Sequence, residues 1–464
     1  MKRFMDENFL LHSDTAVGLY QHIKNLPIID YHCHLDPEAI ANDTHFRNIT
    51  ELWLGGDHYK WRLMRHAGVA ETHITGNAPD NEKFAAFCAI IEKCIGNPVY
   101  HWAHMEMRTY FGYDGVITAS EAAELYALCN AQIAKQDFTV QGLLQRSNVE
   151  WLATTDDPAD SLEHHIQIKE SGLATSVLAS FRPSNALDLD KPSFTGYITK
   201  LGIAAGTTIN DWESLTAALA SRIQHFTNVG CKSSDHSLEP PVFDEKCTVF
   251  EADAALKKAQ RGEELLSSEI VAYKTQLMLF LAGEYTKHNW VMQLHMGAQR
   301  NNNVRMYKLA GADIGFDSMS DASYSLSLNR LLSAMEEKDQ LPRTVLYALN
   351  PVSDDMLAAT AGNFAGRGIK GRMQWGSAWW FNDTKSGMIK HMTTLANHGI
   401  LANFIGMLTD SRSFISYPRH DYFRRILANL LGEWVEAGEF PQDMNLLCNI
   451  AADIAYGNVR EYFR

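Results

Sequence analysis

Pro27-Ile28-Ile29-Asp30-Tyr31-His32-Cys33-His34-Leu35 is an apolar run that ends in two histidines one residue apart. Side chains alternate faces along a strand with a period of two, so both imidazoles leave the end of a buried strand on the same side. Two neutral imidazoles placed in this way are half of a metal site. The spacing alone decides nothing, because 19 His in 464 residues produce about one such pair by chance. Its place decides more: the C-terminal end of an apolar strand, early in the chain, is where an α/β barrel sets its chemistry.

With 46% hydrophobic and 21% charged residues, the 464-residue chain can bury a large core in the manner of an ordinary soluble enzyme. The first residues, MKRFMDENFLLHSDTA, place acids and polar groups where a signal peptide needs an apolar stretch, and no apolar run approaches the length of a membrane span. A cytoplasmic location is therefore expected. Cys33, Cys88, Cys94, Cys129, Cys231, Cys247 and Cys448 are odd in number and scattered, and they read as reduced thiols. A formal charge of −14, without any stripe of Lys/Arg interleaved with aromatics, argues against nucleic acid and against an anionic membrane as partner. An anionic ligand would need particular arginines to overcome that field locally.

Outward from the first strand, no second strand is legible until Asn148-Val149-Glu150-Trp151-Leu152-Ala153-Thr154. The residues between, 36–147, are too many for a βα loop and carry helical periodicity, as in ASEAAELYALCNAQIAKQ. They read as a helical insertion subdomain. Near its start, Leu54-Gly55-Gly56-Asp57-His58-Tyr59-Lys60-Trp61 can fold back over the mouth of a barrel, which makes His58 and Tyr59 candidates for ligand contact; a helix start with a packed Tyr explains the spacing equally well.

From residue 148 onward, apolar runs that turn polar at their C-terminal ends recur: VEWLATTDDP, ATSVLASFRPSN, HFTNVGCKSSDHS, NWVMQLHMGAQR, RTVLYALN, GRMQWGSAWWF and LANFIGMLTDSRSF. With the first strand they make eight. DWESLTAALASRIQ and KSGMIKHMTTLANHG suit helices, GEELLSSEIVAYKTQLMLFLAGEYTKHN suits one long helix, and DYFRRILANLLGEWVEAGEF supplies the last. The pattern predicts a single (β/α)8 TIM barrel over residues 1–464 with the long helical insertion after strand 1. An open doubly wound sheet is the alternative, and it lacks a G-x-G-x-x-G after the first strand.

Two strand ends supply partners for His32 and His34. His295 closes VMQLHMG and Asp410 closes FIGMLTD, on the strand that neighbours the first one around a closed barrel. Three imidazoles and a carboxylate suit Zn²⁺ or another divalent first-row metal. Arg412 leaves the same strand end two residues after Asp410. Singly, each residue has a bland explanation, such as a core histidine or a capping Asp; together they require three strand ends with ligand-type residues at matching height.

IIDYHCHLDP, GGDHYKWRLMR with its long helical insertion, SFRPSN, SDHSL, QLHMGAQRN and MLTDSRSF, in this order over nearly the whole chain, resemble the uronate (glucuronate) isomerases of the amidohydrolase superfamily. The resemblance implies a (β/α)8 barrel that interconverts D-glucuronate with D-fructuronate and D-galacturonate with D-tagaturonate. It implies one divalent metal, zinc in first place, on His32, His34 and Asp410, with His295 as a further ligand or substrate contact. It also puts Arg182, Asp235 and Arg300 in the substrate pocket, with Trp379 and Trp380 in its wall. Lys232 in GCKSSDH invites comparison with the carboxylated lysine that bridges two metals elsewhere in the superfamily. The isomerase pattern has no such bridge, and RTVLYALNP lacks the histidine expected at the end of strand 6.

Aldose-to-ketose chemistry needs a base, a proton shuttle and compensation for an enediolate. By the resemblance Asp410 is the base, provided its surroundings bring its pKa toward the working range; Tyr59 is the shuttle, and Arg412 and His58 stand beside them. The expected partner is a small hexuronate, and a homo-oligomer is left open. The rival readings are a metal-dependent hydrolase of the same superfamily and a carbohydrate-binding protein.

Overall fold

The computed structural model describes residues 3–464. Its strands are β1 (Ile28–Asp30), β2 (Val149–Ala153), β3 (Ser176–Leu178), β4 (Ser180–Phe181), β5 (Ser233–Leu238), β6 (Val291–Met296), β7 (Ala298–Gln299), β8 (Ser318–Met319), β9 (Thr344–Ala348) and β10 (Met373–Trp375). β1, β2 and β3 form one parallel sheet, and β4, β5, β6, β9 and β10 form another. Only Ala179 separates β3 from β4, and beyond β2 the amide of Asp156 donates to Ser180 O and that of Arg182 to Asp156 O. The two sheets are therefore one run, interrupted by a kink. Neighbours follow chain order without a reversal, so the doubly wound alternative, which requires a switch point, does not apply. β7 and β8 make a separate antiparallel ribbon.

β6 and β9 are buried at every position, as expected for strands covered on both faces. Helices lie between them. The stretch expected to be helical at 211–224 is part of Trp212–Val229, which opens on a capping box between Asp211 and Ser214 and buries Leu215, Leu219, Ile223 and Phe226 at helical spacing. Here the reading of HFTNVGCKSSDHS as strand is corrected: HFTNV finishes that helix, Gly230 at φ +116° ends it, and only Ser233–Leu238 pairs as β5. The long helix is Ser267–Lys287. After Pro418–Glu436 the chain adds Met444–Ala452 and Asn458–Tyr462, so DYFRRILANLLGEWVEAGEF does not contribute the last helix.

A second correction concerns the eighth strand. Residues 404–411 lie beside β1, where Asp410 N donates to His32 O and His34 N to Ser411 O, but they form no ladder. The cause is local. Gly406 stands at φ +73°, with its Cα so close to Ile454 O that an added Cβ would lie 2.2 Å from it, and Asp410 itself stands at φ +48°. Side chains replace the ladder: buried Asp30 accepts from Thr409 N at 2.8 Å and from Thr409 Oγ1 at 2.5 Å.

Between β1 and β2 the regular elements are all helices, from Pro37–Ala41 to Val140–Arg146. Among the described residues no helix is long and apolar enough to cross a membrane.

Candidate active site

β1 ends at Asp30, and His32 and His34 follow it, with ring centroids 5.2 Å apart. Both Nε2 atoms face the same oxygen: Asp410 Oδ1 lies 3.2 Å from His32 and 3.1 Å from His34. The other oxygen, Oδ2, accepts from the indole Nε1 of Trp379 at 2.6 Å. Trp379 thus orients a carboxylate as well as forming wall. His295, near the end of β6, has its ring 4.6 Å from that of His32 and stacks on Tyr347. Asp235 on β5 lies 2.7 Å from His295 Nδ1 through Oδ1, and its Oδ2 accepts from Arg182 Nη1 at 2.9 Å.

These contacts make two groups of potential ligands that share His32: His32, His34 and Asp410, and His32, Asp235 and His295. In each, the donor atoms lie within 4.8 Å of one another. His32 Nδ1, both ring nitrogens of His295 and Asp235 Oδ1 are buried without an aligned hydrogen bond. Buried imidazole nitrogens that lack aligned hydrogen bonds and converge with carboxylates are a donor set that suits a divalent first-row cation. Lys232 is exposed at the N-terminal end of β5 and offers no bridge between the groups.

Charge follows the same geometry. Burial would raise the Asp410 pKa, but hydrogen bonds from His32 and His34 outweigh it and hold the carboxyl well below the usual range. A pKa near the working range, as expected of a base, is therefore not what the carboxyl has while both imidazoles point at it. Burial likewise works against ionised Asp235, and Arg182, His295 and His32 override it, again to well below the usual range. Burial would lower His32, yet Asp235 and Asp410 raise it, whereas burial prevails at His34 and His295 and lowers both.

One cavity of ≈ 450 Å³ brings together His32, His34, His58, Arg182, His295, Arg300, Trp379, Trp380, Asp410 and Arg412. His58 opens the helix His58–His66, capped by Asp57, and packs edge-on against Trp380. Arg300 is held by Glu239 Oε1 at 3.0 Å and lies over the Trp380 ring. Arg412 reaches Asp313 Oδ2 at 3.1 Å. Two candidates stand outside this cavity. Asp235 is fully buried behind it and meets the cavity wall through Arg182 and His295. Tyr59, stacked on His58 at 4.7 Å, lines a separate small void together with Asp410, Arg412 and Arg419.

Thr155, Asp156, Asp157, Asp160, Ser184, Asn185 and Asp313 also line the cavity and were not singled out from the sequence. The polar end of TTDDPAD after β2 was a usable signal, since it occupies the same height as His32 and Arg182. Asp313 had none: it arrives from a loop and is tied to the site by ion pairs with Arg412 and Arg300.

Comparison with known proteins finds relatives over the whole length of the chain. A family model described as glucuronate isomerase matches residues 1–463. A curated uronate isomerase of Caldanaerobacter subterraneus subsp. tengcongensis is 48% identical over 464 residues, covering 100% of this chain and 99% of that one. Among solved structures, the uronate isomerase of Thermotoga maritima superposes with a TM-score of 0.95 at 33% identity, covering 100% of both chains. The glucuronate isomerase of Caulobacter crescentus gives 0.92 at 27% identity, covering 99% of this chain and 97% of its own.

Proposed function

Since the chain belongs to the glucuronate isomerase family and is an aldose–ketose isomerase of hexuronates, we propose that it works by proton transfer through an enediol. Its reactions are then D-glucuronate to D-fructuronate and D-galacturonate to D-tagaturonate. The observation that carries this reading is the surroundings of Asp410: a carboxylate in the cavity wall, oriented by Trp379, which shares an adjoining void with the phenol of Tyr59 and with Arg412.

Asp410 takes the proton from carbon 2 as the aldehyde oxygen receives one from the Tyr59 hydroxyl, which yields the neutral enediol. Tyr59 then recovers a proton from the oxygen on carbon 2 while Asp410 returns its own to carbon 1, so both side chains end as they began. Burial raises the Tyr59 pKa well above its ordinary value, as does the Asp410 charge, and the phenol therefore rests protonated, as the first step requires. Arg412, Arg182 and Arg300 oppose the charge of the substrate carboxylate and of the developing enediolate, and His58 orders the same edge of the cavity. His32, His34 and Asp410 would hold one divalent ion, zinc in first place, with His295 alongside; when bound, it would fix the substrate by chelating its carboxylate and a hydroxyl.

The architecture proposed with this chemistry is a closed (β/α)8 barrel in which residues 404–411 fill the eighth position irregularly, with residues 36–147 as an inserted helical subdomain at its mouth. A cytoplasmic setting suits a chain whose seven cysteines are free. Purified protein given D-glucuronate or D-galacturonate should form the ketose by NMR, and substrate deuterated at carbon 2 should lose label to water. Full retention of label together with a fully active Asp410→Asn enzyme would overturn the proton-transfer route in favour of a hydride shift.

A further inference from the structure

Behind the substrate cavity lies a fully enclosed group of charges that the reaction does not consume. Arg419 follows Pro418 at the start of the helix Pro418–Glu436 and is 2% exposed. Its guanidinium lies 4.1 Å from the centre of the Trp102 ring and 5.3 Å from that of Tyr59. Its Nη1 donates to the carbonyl of Thr409 at 3.3 Å and stands 3.7 Å from Asp383 Oδ2. Burying an arginine costs several kcal/mol unless its partners are well placed, which makes a purely incidental cation here expensive.

What those partners have in common is decisive. Tyr59 stands on the helix His58–His66, whereas Thr409 immediately precedes Asp410 on the irregular segment that has no strand ladder to hold it. Asp410 at φ +48° occupies a backbone conformation that persists only when its neighbours impose it. Asp30 clamps the amide and hydroxyl of Thr409 from one side, and Arg419 takes its carbonyl from the other. Arg419, Tyr59 and Asp410 also line one void of ≈ 10 Å³, together with His58, Ser411, Arg412 and Ser413. Arg419 is absent from the walls of the substrate cavity.

We propose that Arg419 is a positioning residue for the isomerisation: it fixes the Tyr59 phenol against the peptide that carries Asp410, from the side away from substrate. Asp383 and the ring of Trp102 hold the guanidinium in that place. The proposal rests on the assignment of Tyr59 and Asp410 to proton transfer, and a double-mutant cycle separates the two. Tyr59→Phe, Arg419→Met and the double variant are compared for kcat, KM, metal content and Tm.

Displacement of a reacting group by about 1 Å is worth about 100-fold in rate, so Arg419→Met should lose kcat by about that factor with KM within about threefold of wild type and metal retained. Loss of Arg419 should cost less in the Tyr59→Phe background than in wild type, because the part of its effect that runs through the phenol is already gone. Arg419→Lys, which keeps the charge but cannot stack flat on Trp102, should recover only part of the rate. Losses that multiply in the double variant, or full activity in Arg419→Met, would overturn the proposal, as would failure of both Arg419 variants to fold. A fully active Tyr59→Phe enzyme would instead sink the underlying proton-transfer assignment.

Discussion

Asp410 and Asp156 show how differently two carboxyls of one cavity are treated. Hydrogen bonds from two imidazoles keep the first ionised, whereas burial pushes the second up to about 7, against the opposing hydrogen bonds of the Thr154 hydroxyl and the Ser180 amide. An aspartate in an unfolded chain titrates near about 3.9, so the native protein binds this proton more tightly than the unfolded one. The sign follows: the contribution is intact below about pH 4, declines by at most about 1.4 kcal/mol per pH unit as pH rises, and levels off above about pH 7. Asp156→Asn should therefore raise Tm at pH 8 and leave it unchanged at pH 4, a difference that scanning calorimetry at the two pH values reads directly. Equal effects at both would place the proton on another group. At the same scale, Arg182→Met should reduce uronate turnover by about tenfold or more with the protein folded, because Asp235 loses its guanidinium partner and the cavity loses a cation. Unchanged kinetic constants would show that the substrate carboxylate is read elsewhere.

The helix His58–His66 brings His58 and Tyr59 to the site, and its first turn depends on Asp57. That carboxylate accepts from the amides of Tyr59 and Lys60 and from Lys60 Nζ at 2.7 Å, all in the interior. Asp57→Ala removes a cap and leaves Lys60 with Glu106, 3.4 Å away, as its carboxylate and with the Trp53 ring 5.3 Å from its Nζ. Breaking a buried pair costs about 3–5 kcal/mol, so equilibrium unfolding should show a loss of at least about 3 kcal/mol, and kcat should fall with it as the helix start frays. Glycine and the polar run GGDHYKW announced this element in the sequence, and so did the apolar strand ends that carry His32, His295 and Asp410. The sequence could not announce an element made by packing: Phe404-Ile405-Gly406-Met407-Leu408 has the composition of a strand, and neither the close approach of Ile454 to Gly406 nor the positive φ of Gly406 and Asp410 is legible in it. HFTNV misled in the opposite direction, because a short apolar run before a glycine suits a helix end and a strand start equally well. Asp235 was recognisable as important but not as buried, since its partners Arg182 and His295 come from other strands.

Across the whole molecule, the site fastens the chain's two ends together. His32 and His34 follow the first strand, while Asp410 comes from the segment before the helix Pro418–Glu436, and that helix packs on the N-terminal helix Asp14–Ile23 through the hydrogen bond from Tyr20 to Asp421. β1 and residues 404–411 meet through two backbone hydrogen bonds and the Asp30–Thr409 clamp, with no ladder between them. A cation on His32, His34 and Asp410 would close the same junction, and by binding only the folded chain it would add about 2.7 kcal/mol at a hundredfold excess over Kd. Because the two ligand groups share His32, they compete for one ion, so elemental analysis should find about one equivalent per chain. Treatment with a chelator should lower Tm by a few degrees, and zinc should restore it. His34→Ala should hold much less metal and unfold at nearly the same temperature with or without chelator. A chelator-insensitive wild type of full activity would remove the metal from the site, whereas two equivalents per chain would mean that Asp235 and His295 hold an ion of their own.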